Sequence, residues 1–309
     1  MTFFNSLPAE LVDVIVCEFR HDLKSLKSFA SAHRSFIPFA QSYIFSTVRL
    51  SFNHLLRSDH SRCTQFLDIL SSSPHIASFV RDLHICIVPA PFWLPDILPN
   101  ELSRENSPLI HVLRVLSSLR HIRIFQGGEH GWSVQWGGIS PDLQAAMRTS
   151  FTSPSIRSIT LERLAFHGFG EFSFLFMHAR TVEELSLTGI RFIAPPDSSV
   201  LYHDSMLCLP NLRNLSMRFY RRDLAFTKDG GWESPDILGF VLFLPSLVYL
   251  DSLRRLSIFV DHLEDCTSIR EYLGAFGNSI TAVAVNSSSV NYAAIAIEKS
   301  PVLIPDVCS

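Results

Sequence analysis

The sequence has little of what nucleic-acid-binding or membrane-spanning proteins need. Only 18% of its 309 residues are charged and the formal net charge is −3, so no overall positive field attracts nucleic acid or an anionic membrane. No apolar run approaches the 18 or more uncharged residues of a membrane span. The first apolar run is interrupted by Asp13 and follows no basic leader, which argues against a signal peptide. We therefore expect neither nucleic acid nor membrane as a partner.

Cysteines are also few, and none has a close neighbour in sequence. Six are scattered along the chain, a distribution typical of reduced thiols in the cytosol or nucleus. Most are expected to fill the core as small apolar side chains. The sequence thus predicts a cytoplasmic or nuclear protein.

Motifs of catalysis and metal binding are missing. The glycine-rich residues 127–131 fit neither the phosphate-loop spacing nor the dinucleotide fingerprint, and no Gly-x-Ser-x-Gly elbow is present. The thirteen histidines form no His-Glu-x-x-His motif and no cluster with cysteine. We predict no catalytic residue, no metal ligand and no cofactor. The alternative is an enzyme whose site is assembled from distant residues, recognisable as a deep polar pocket with convergent ionisable groups.

What the sequence does contain begins with an apolar stripe at the N-terminus. Proline is favoured at the first position of a helix, so Leu7 and Pro8 predict a helix start. From there Leu7, Leu11, Ile15 and Phe19 recur every four residues and share one helical face. Two more short helices are predicted, one capped by Asp22 and one opened by Pro38. Helices this small bury too little surface to stand alone, so the stripe predicts a partner.

This N-terminal segment resembles an F-box, in its F-box-like fungal form. The pattern positions of that family are filled by Leu7, Pro8, Glu10, Leu11, Ile15, Leu23, Leu26, Arg34 and Phe36. The resemblance implies docking onto the Skp-type adaptor of a cullin-RING ubiquitin ligase. The adaptor contacts that it implies are Leu7, Pro8, Leu11, Ile15, Leu23 and Leu26.

Beyond residue 45 the chain repeats an apolar-x-x-apolar-x-apolar pattern eight times, at intervals of 26 to 41 residues. The eight matches begin at Phe45, Val80, Leu119, Ile156, Val182, Leu212, Leu253 and Ile280. The last two apolar positions of each match alternate with a polar or small residue, which predicts a short strand with one buried face. The pattern resembles the first half of a leucine-rich repeat. The consensus Asn or Cys is missing after the strands, so irregular outer turns are expected.

Helices are predicted between these strands. Ser107, Ser140 and Ser234 each precede a proline, a combination of capping hydroxyl and first-turn proline that favours a helix start. Strands that alternate with helices pair in parallel. The predicted fold class is therefore α/β, with a three-helix F-box-like module at residues 1–45. An irregular leucine-rich-repeat-like solenoid of parallel strands alternating with helices follows at residues 46–309.

The four tryptophans lie in long insertions after the strands. They are Trp93, Trp132, Trp136 and Trp232, and Arg221 and Arg222 lie in the same insertion as Trp232. Tryptophan is enriched at binding hot spots, so these six residues are predicted to form a target-binding rim if the insertions share one edge of the solenoid. The alternative is that each tryptophan folds back and fills its own loop.

These features favour a non-enzymatic substrate-recognition subunit of an SCF-type cullin-RING ubiquitin ligase. The N-terminal helices would dock the adaptor, and the repeats would hold a target protein. The alternative is a non-ligase leucine-rich-repeat scaffold with a degenerate F-box, which adaptor co-purification would distinguish.

Overall fold

The structure is a computed structural model. It describes residues 7–53, 62–88, 100–127, 133–193, 209–218 and 252–260, and the backbone of three further strands at residues 225–226, 232–233 and 282–287.

Three short helices form an N-terminal module with its own core. They are α1 (Ala9–Cys17), α2 (Leu23–Ala32) and α3 (Ile37–Ile44), with a 3₁₀ turn at Arg34–Phe36 before the third. Helix α1 begins one residue later than predicted, because Pro8 takes an extended conformation as the cap. The Asp22 carboxylate accepts hydrogen bonds from the backbone N–H groups of Lys24 and Ser25, which confirms it as the cap of α2. The buried core of this helical module consists of Val12, Val16, Leu26, Phe36 and Ala40.

Thirteen strands follow in the described part of the chain. They are β1 (Thr47–Asn53), β2 (Asp82–Val88), β3 (His121–Gln126), β4 (Val134–Gln135), β5 (Ser158–Glu162), β6 (Leu164–Phe166), β7 (Glu184–Thr188), β8 (Arg191–Phe192), β9 (Asn214–Arg218), β10 (Ala225–Phe226), β11 (Trp232–Glu233), β12 (Arg255–Val260) and β13 (Ala282–Ser287).

Eight of these strands form one parallel sheet in the order of the chain, β1-β2-β3-β5-β7-β9-β12-β13. All eight predicted repeat positions coincide with these strands. The last apolar residues of the eight matches share one register row: Leu50, Ile85, Ile124, Leu161, Leu187, Met217, Ile258 and Val285. The members of this row on the first seven strands are buried in one continuous core. One face of the sheet therefore builds the interior, as the alternating pattern predicted.

Helices connect the strands where the structure describes the connections. They are α4 (Arg62–Ser72), α5 (Asn100–Ser103), α6 (Pro108–Val115), α7 (Pro141–Phe151) and α8 (Phe169–Leu175). The Ser107 hydroxyl accepts from the Leu109 N–H and the Ser140 hydroxyl from the Leu143 N–H, which confirms both predicted caps. The helix start predicted at Ser234 lies outside the described residues.

A second, smaller sheet makes the outer turns regular after three strands of the main sheet. Strands β4, β6 and β8 pair in parallel, and each follows one of three successive strands of the main sheet. Strands β10 and β11 form a separate antiparallel pair that contains Trp232. The fold is thus a mixed α/β structure in which a parallel sheet alternates with helices. Within the described ranges, no helix has the length and apolarity needed to cross a membrane.

Candidate functional site

The first candidate surface is an apolar strip on α1, made of Leu11, Val14 and Ile15. These side chains are 50%, 59% and 40% exposed. Val12 and Val16 occupy another side of the helix, about 120° around its axis, and are buried in the module core. Helix α1 therefore buries one apolar edge and leaves a second apolar edge in solvent, where it costs free energy unless a partner covers it.

Contacts between α1 and α3 fix the orientation of this strip. The Tyr43 hydroxyl on α3 donates a hydrogen bond to the Asp13 carboxylate at 3.1 Å. A hydrogen bond with the Cys17 thiol, burial and the nearby Asp13 charge all raise the pKa of Tyr43, so the phenol stays protonated and remains a donor. The strip is thus held outward by a contact on the other side of the same helix.

The remaining expected adaptor contacts differ in their exposure. Pro8 is exposed and Leu23 is 51% exposed, so both are accessible on the module surface. Leu7 is half-buried and packs against the module core. Leu26 is only 1% exposed. Contrary to the expectation of a direct contact, Leu26 supports the module from within and presents no side-chain surface to a partner.

Of the predicted tryptophan rim, the structure describes the side chain of Trp136 alone. Trp136 is 2% exposed and stacks on Phe166, with ring centres 5.7 Å apart, so it fills its own loop as the alternative interpretation held. Trp93, Trp132, Arg221 and Arg222 lie outside the described residues. For Trp232 only the backbone position in β11 is described.

Phe166 belongs to an aromatic cluster that sequence reasoning missed. The ring of Phe166 meets Phe172 edge-on at 5.1 Å, and Phe172 in turn meets Phe176 at 5.1 Å. Phe192 on β8 closes the cluster against Phe169, with ring centres 4.1 Å apart. The sequence signal for this cluster was the short apolar run that follows β5 at Leu164–Phe166. The cluster joins the small sheet to α8.

The second candidate surface is the polar face of β1, β2 and β3, opposite the core. Arg49, His84 and Arg123 occupy one register row across these neighbouring strands. Each is the residue between the last two apolar positions of its repeat, so the pattern itself could have identified the row. Arg49 is exposed, and His84 and Arg123 are half-buried.

Aromatic and charged contacts organise this polar face. The Arg123 guanidinium forms an ion pair with Glu162 on β5 at 2.7 Å. Both Arg49 and Arg123 also lie over the ring of Phe125. Cation–π attraction therefore adds to the ion pair in fixing these side chains.

Two histidines lie on this face, His84 within the row and His121 on β3 in the neighbouring row. The rings of His84 and His121 meet edge-on at 5.9 Å, and His121 forms a 3.1 Å hydrogen bond with the Thr160 hydroxyl. Burial lowers the pKa of both histidines. The charge of His121, Arg123 and Arg49 lowers the pKa of His84 further, so the imidazole favours its neutral form at pH 7.

Within the described residues, no group of three His, Cys, Asp or Glu side chains is placed to hold a metal ion. A shallow depression along α2, lined by Lys24, Lys27, Ser28, Ser31 and Ala32, opens to solvent. It does not match the deep pocket with convergent ionisable groups by which a distant-residue active site would be recognised.

The sequence matches no protein-family model, and no curated protein resembles it significantly in sequence.

Proposed function

We propose that the chain is the substrate-recognition subunit of an SCF-type ubiquitin ligase, docking a Skp-type adaptor through the apolar strip of α1. The exposure of Leu11 and Ile15 carries this proposal. These are the positions that an F-box uses for adaptor contact, and here they lie outside the module core. Leu11 and Ile15 are about half exposed, so covering the rest of each contributes roughly 1 kcal/mol.

The order of the sheet supports the second half of the proposal. Strands that follow one another along a parallel sheet are typical of stacked repeats, including leucine-rich repeats. Such a sheet presents a broad polar face on which a target protein can lie. The aromatic cluster and small sheet stiffen the middle repeats, so this face is presented as a fixed surface.

The proposed mechanism is proximity. The α1 strip attaches the chain to the ligase, and the sheet face holds a target near the ubiquitin-loaded enzyme. Transfer then becomes effectively intramolecular, and the high effective concentration accelerates chemistry performed by another subunit. This chain needs no catalytic side chain for that role.

Capture of a purified Skp-type adaptor by the full-length chain tests the proposal. The variant Leu11→Asp with Ile15→Asp places two carboxylates in the contact and is expected to weaken capture at least a hundredfold. The matched control is Ile69→Asp with Val115→Asp. It introduces the same charges at apolar positions of α4 and α6 that are 38% and 44% exposed. The control is expected to bind the adaptor normally.

Adaptor binding that is unchanged in the α1 variant contradicts the docking assignment. Failure of the folded wild-type chain to capture the adaptor favours a scaffold that binds other proteins through its repeats. Far-ultraviolet circular dichroism of each variant establishes that the helices and strands are retained.

A further inference from the structure

The polar face of the sheet holds two arginine side chains against one aromatic ring. The guanidinium carbons of Arg49 on β1 and Arg123 on β3 lie 5.6 Å and 4.8 Å from the centre of the Phe125 ring. The side chain of Arg49 therefore extends across β2, the strand between them. The negative face of a ring attracts cations, so Phe125 keeps two like charges near one another.

Only one of these charges has a counter-charge. Arg123 pairs with Glu162, whereas Arg49 has no carboxylate partner among the residues that the structure describes. The pair thus retains about one uncompensated positive charge. Because ring contacts already fix both guanidinium groups, an incoming anion meets them with little loss of side-chain entropy.

Unsatisfied hydrogen-bonding groups lie in the same register row. Nδ1 of His84, midway between the two arginines, is buried and has no hydrogen-bond partner in the described part of the chain. Nε of Arg123 is in the same state. A buried polar atom without a partner costs free energy, so this part of the polar face is less well satisfied than the core.

We propose that this face of β1, β2 and β3 binds an acidic segment of the target protein in extended conformation, with Asp or Glu carboxylates on Arg49 and Arg123. This inference rests on the proposed function, because it gives the chemical class of the target. Side chains on one side of an extended segment recur about every 7 Å. The guanidinium carbons of Arg49 and Arg123 lie 5.6 Å and 4.8 Å from one ring centre, so they are at most about 10 Å apart. Carboxylates two residues apart in the segment fit that spacing, because they lie on the same side of the extended chain.

A protein segment fits this site better than a nucleic acid does. The positive area is small, since Asp82 and Glu162 flank it on the same face. Binding to a phosphate backbone draws on many cations at once, and this chain has a net charge of −3. A carboxylate on Arg49, with a second that shares Arg123 with Glu162, matches this small area more closely.

Fluorescence anisotropy with the full-length protein and a fluorescein-labelled peptide, Gly-Glu-Leu-Glu-Leu-Glu-Gly, tests the inference. The glutamate peptide is expected to bind at least tenfold more tightly than its glutamine counterpart, and added salt should weaken it. Arg49→Gln is expected to weaken binding roughly fivefold, the effect of losing one partly exposed charge-assisted contact.

Arg218→Gln is the matched control on the same sheet. The Arg218 guanidinium carbon lies 4.7 Å from the centre of the Phe259 ring, so this arginine also contacts an aromatic ring, at a distance from β1. It is expected to leave peptide affinity unchanged. An equal loss in this control overturns the localised site, as does tighter binding of a phosphoserine peptide or an oligonucleotide than of the glutamate peptide.

Adaptor capture separates this inference from the function on which it rests. Arg49→Gln is expected to capture the adaptor as the wild type does. Peptide binding without adaptor capture contradicts the ligase role alone, and adaptor capture without peptide binding contradicts the acidic-segment site alone.

Discussion

Gly127 follows the last residue of β3 and packs closely against β2. Its N–H donates to the Ile87 carbonyl at 2.8 Å, and a Cβ at this position would lie 2.6 Å from the Cys86 sulfur. Gly127→Ala is therefore expected to lower the free energy of unfolding by about 1–3 kcal/mol, because the thiol or the strand must move. Urea denaturation followed by circular dichroism measures this change.

Gly168→Ala is the control for that substitution. Gly168 has an extended backbone with φ of −165°, and a Cβ there would meet nothing within 4 Å. We expect a change within about 0.5 kcal/mol. Combining Gly127→Ala with Cys86→Ala should recover part of the loss, and no recovery would contradict the steric explanation.

At the scale of elements, the contact between β2 and β3 makes stability depend on pH. Burial and the neighbouring Arg49 and Arg123 lower the pKa of His84, and burial lowers that of His121 despite the opposing effect of Asp82. Below the ordinary value of 6.5 the unfolded chain therefore binds protons that the folded chain does not. Stability is expected to fall as the pH drops below about 6.5. Urea midpoints at pH 7.5 and 5.5 measure the effect.

Replacing both histidines identifies the source of that dependence. In His84→Gln with His121→Gln, the difference between the two midpoints should shrink. His111→Gln changes an exposed histidine on α6 and should leave the difference as it is. The assignment fails if the double variant keeps the wild-type dependence on pH.

Some helices and strands follow from the local sequence, whereas others depend on packing between distant residues. Helix starts were predictable because the capping side chains of Asp22, Ser107 and Ser140 act within three residues. The small sheet of β4, β6 and β8 was not, because strands of two or three residues carry too few side chains to show a period. The position of Trp136 depends on its stacking with Phe166 across that sheet, a contact that spacing does not encode.

At the scale of the whole molecule, two separate cores predict two parts of the chain that unfold independently. One core joins α1, α2 and α3, and the other joins the sheet to its helices. Leu26→Ala removes a side chain that is 1% exposed in the first core, at a cost of about 2–5 kcal/mol. Hydrogen exchange measured by mass spectrometry is expected to accelerate in residues 9–44 and to stay slow in the main sheet.

The reciprocal variant is Leu161→Ala, at the middle of the sheet and fully buried. It should accelerate exchange in β3, β5 and β7 while sparing the helical module, since each repeat contacts mainly its neighbours. Faster exchange throughout the chain in either variant would show one cooperative unit and would contradict the boundary near residue 45.

The order of the main sheet was the most predictable feature of the molecule. Eight apolar pairs of period two determined both the strands and their register, because a slip of one residue would turn every core side chain to the polar face. The polar surface was harder to predict. Arg49 and Arg123 are distant in sequence, and their shared contact with Phe125 exists only once three strands align.

A sheet whose strands follow chain order is also a ruler. Each repeat advances the chain by one strand spacing of about 4.8 Å, so β1 and β13 lie about 34 Å apart along the sheet. The helical module adjoins the β1 end of the sheet, where the Ser46 carbonyl accepts hydrogen bonds from the N–H groups of Arg81 and Asp82. A ligand read by Arg49 and Arg123 is held within the first two divisions. Inserting one repeat after β3 lengthens the sheet and leaves the distance between the helical module and the ligand unchanged. Inserting one before β1 increases that distance by one strand spacing, about 4.8 Å.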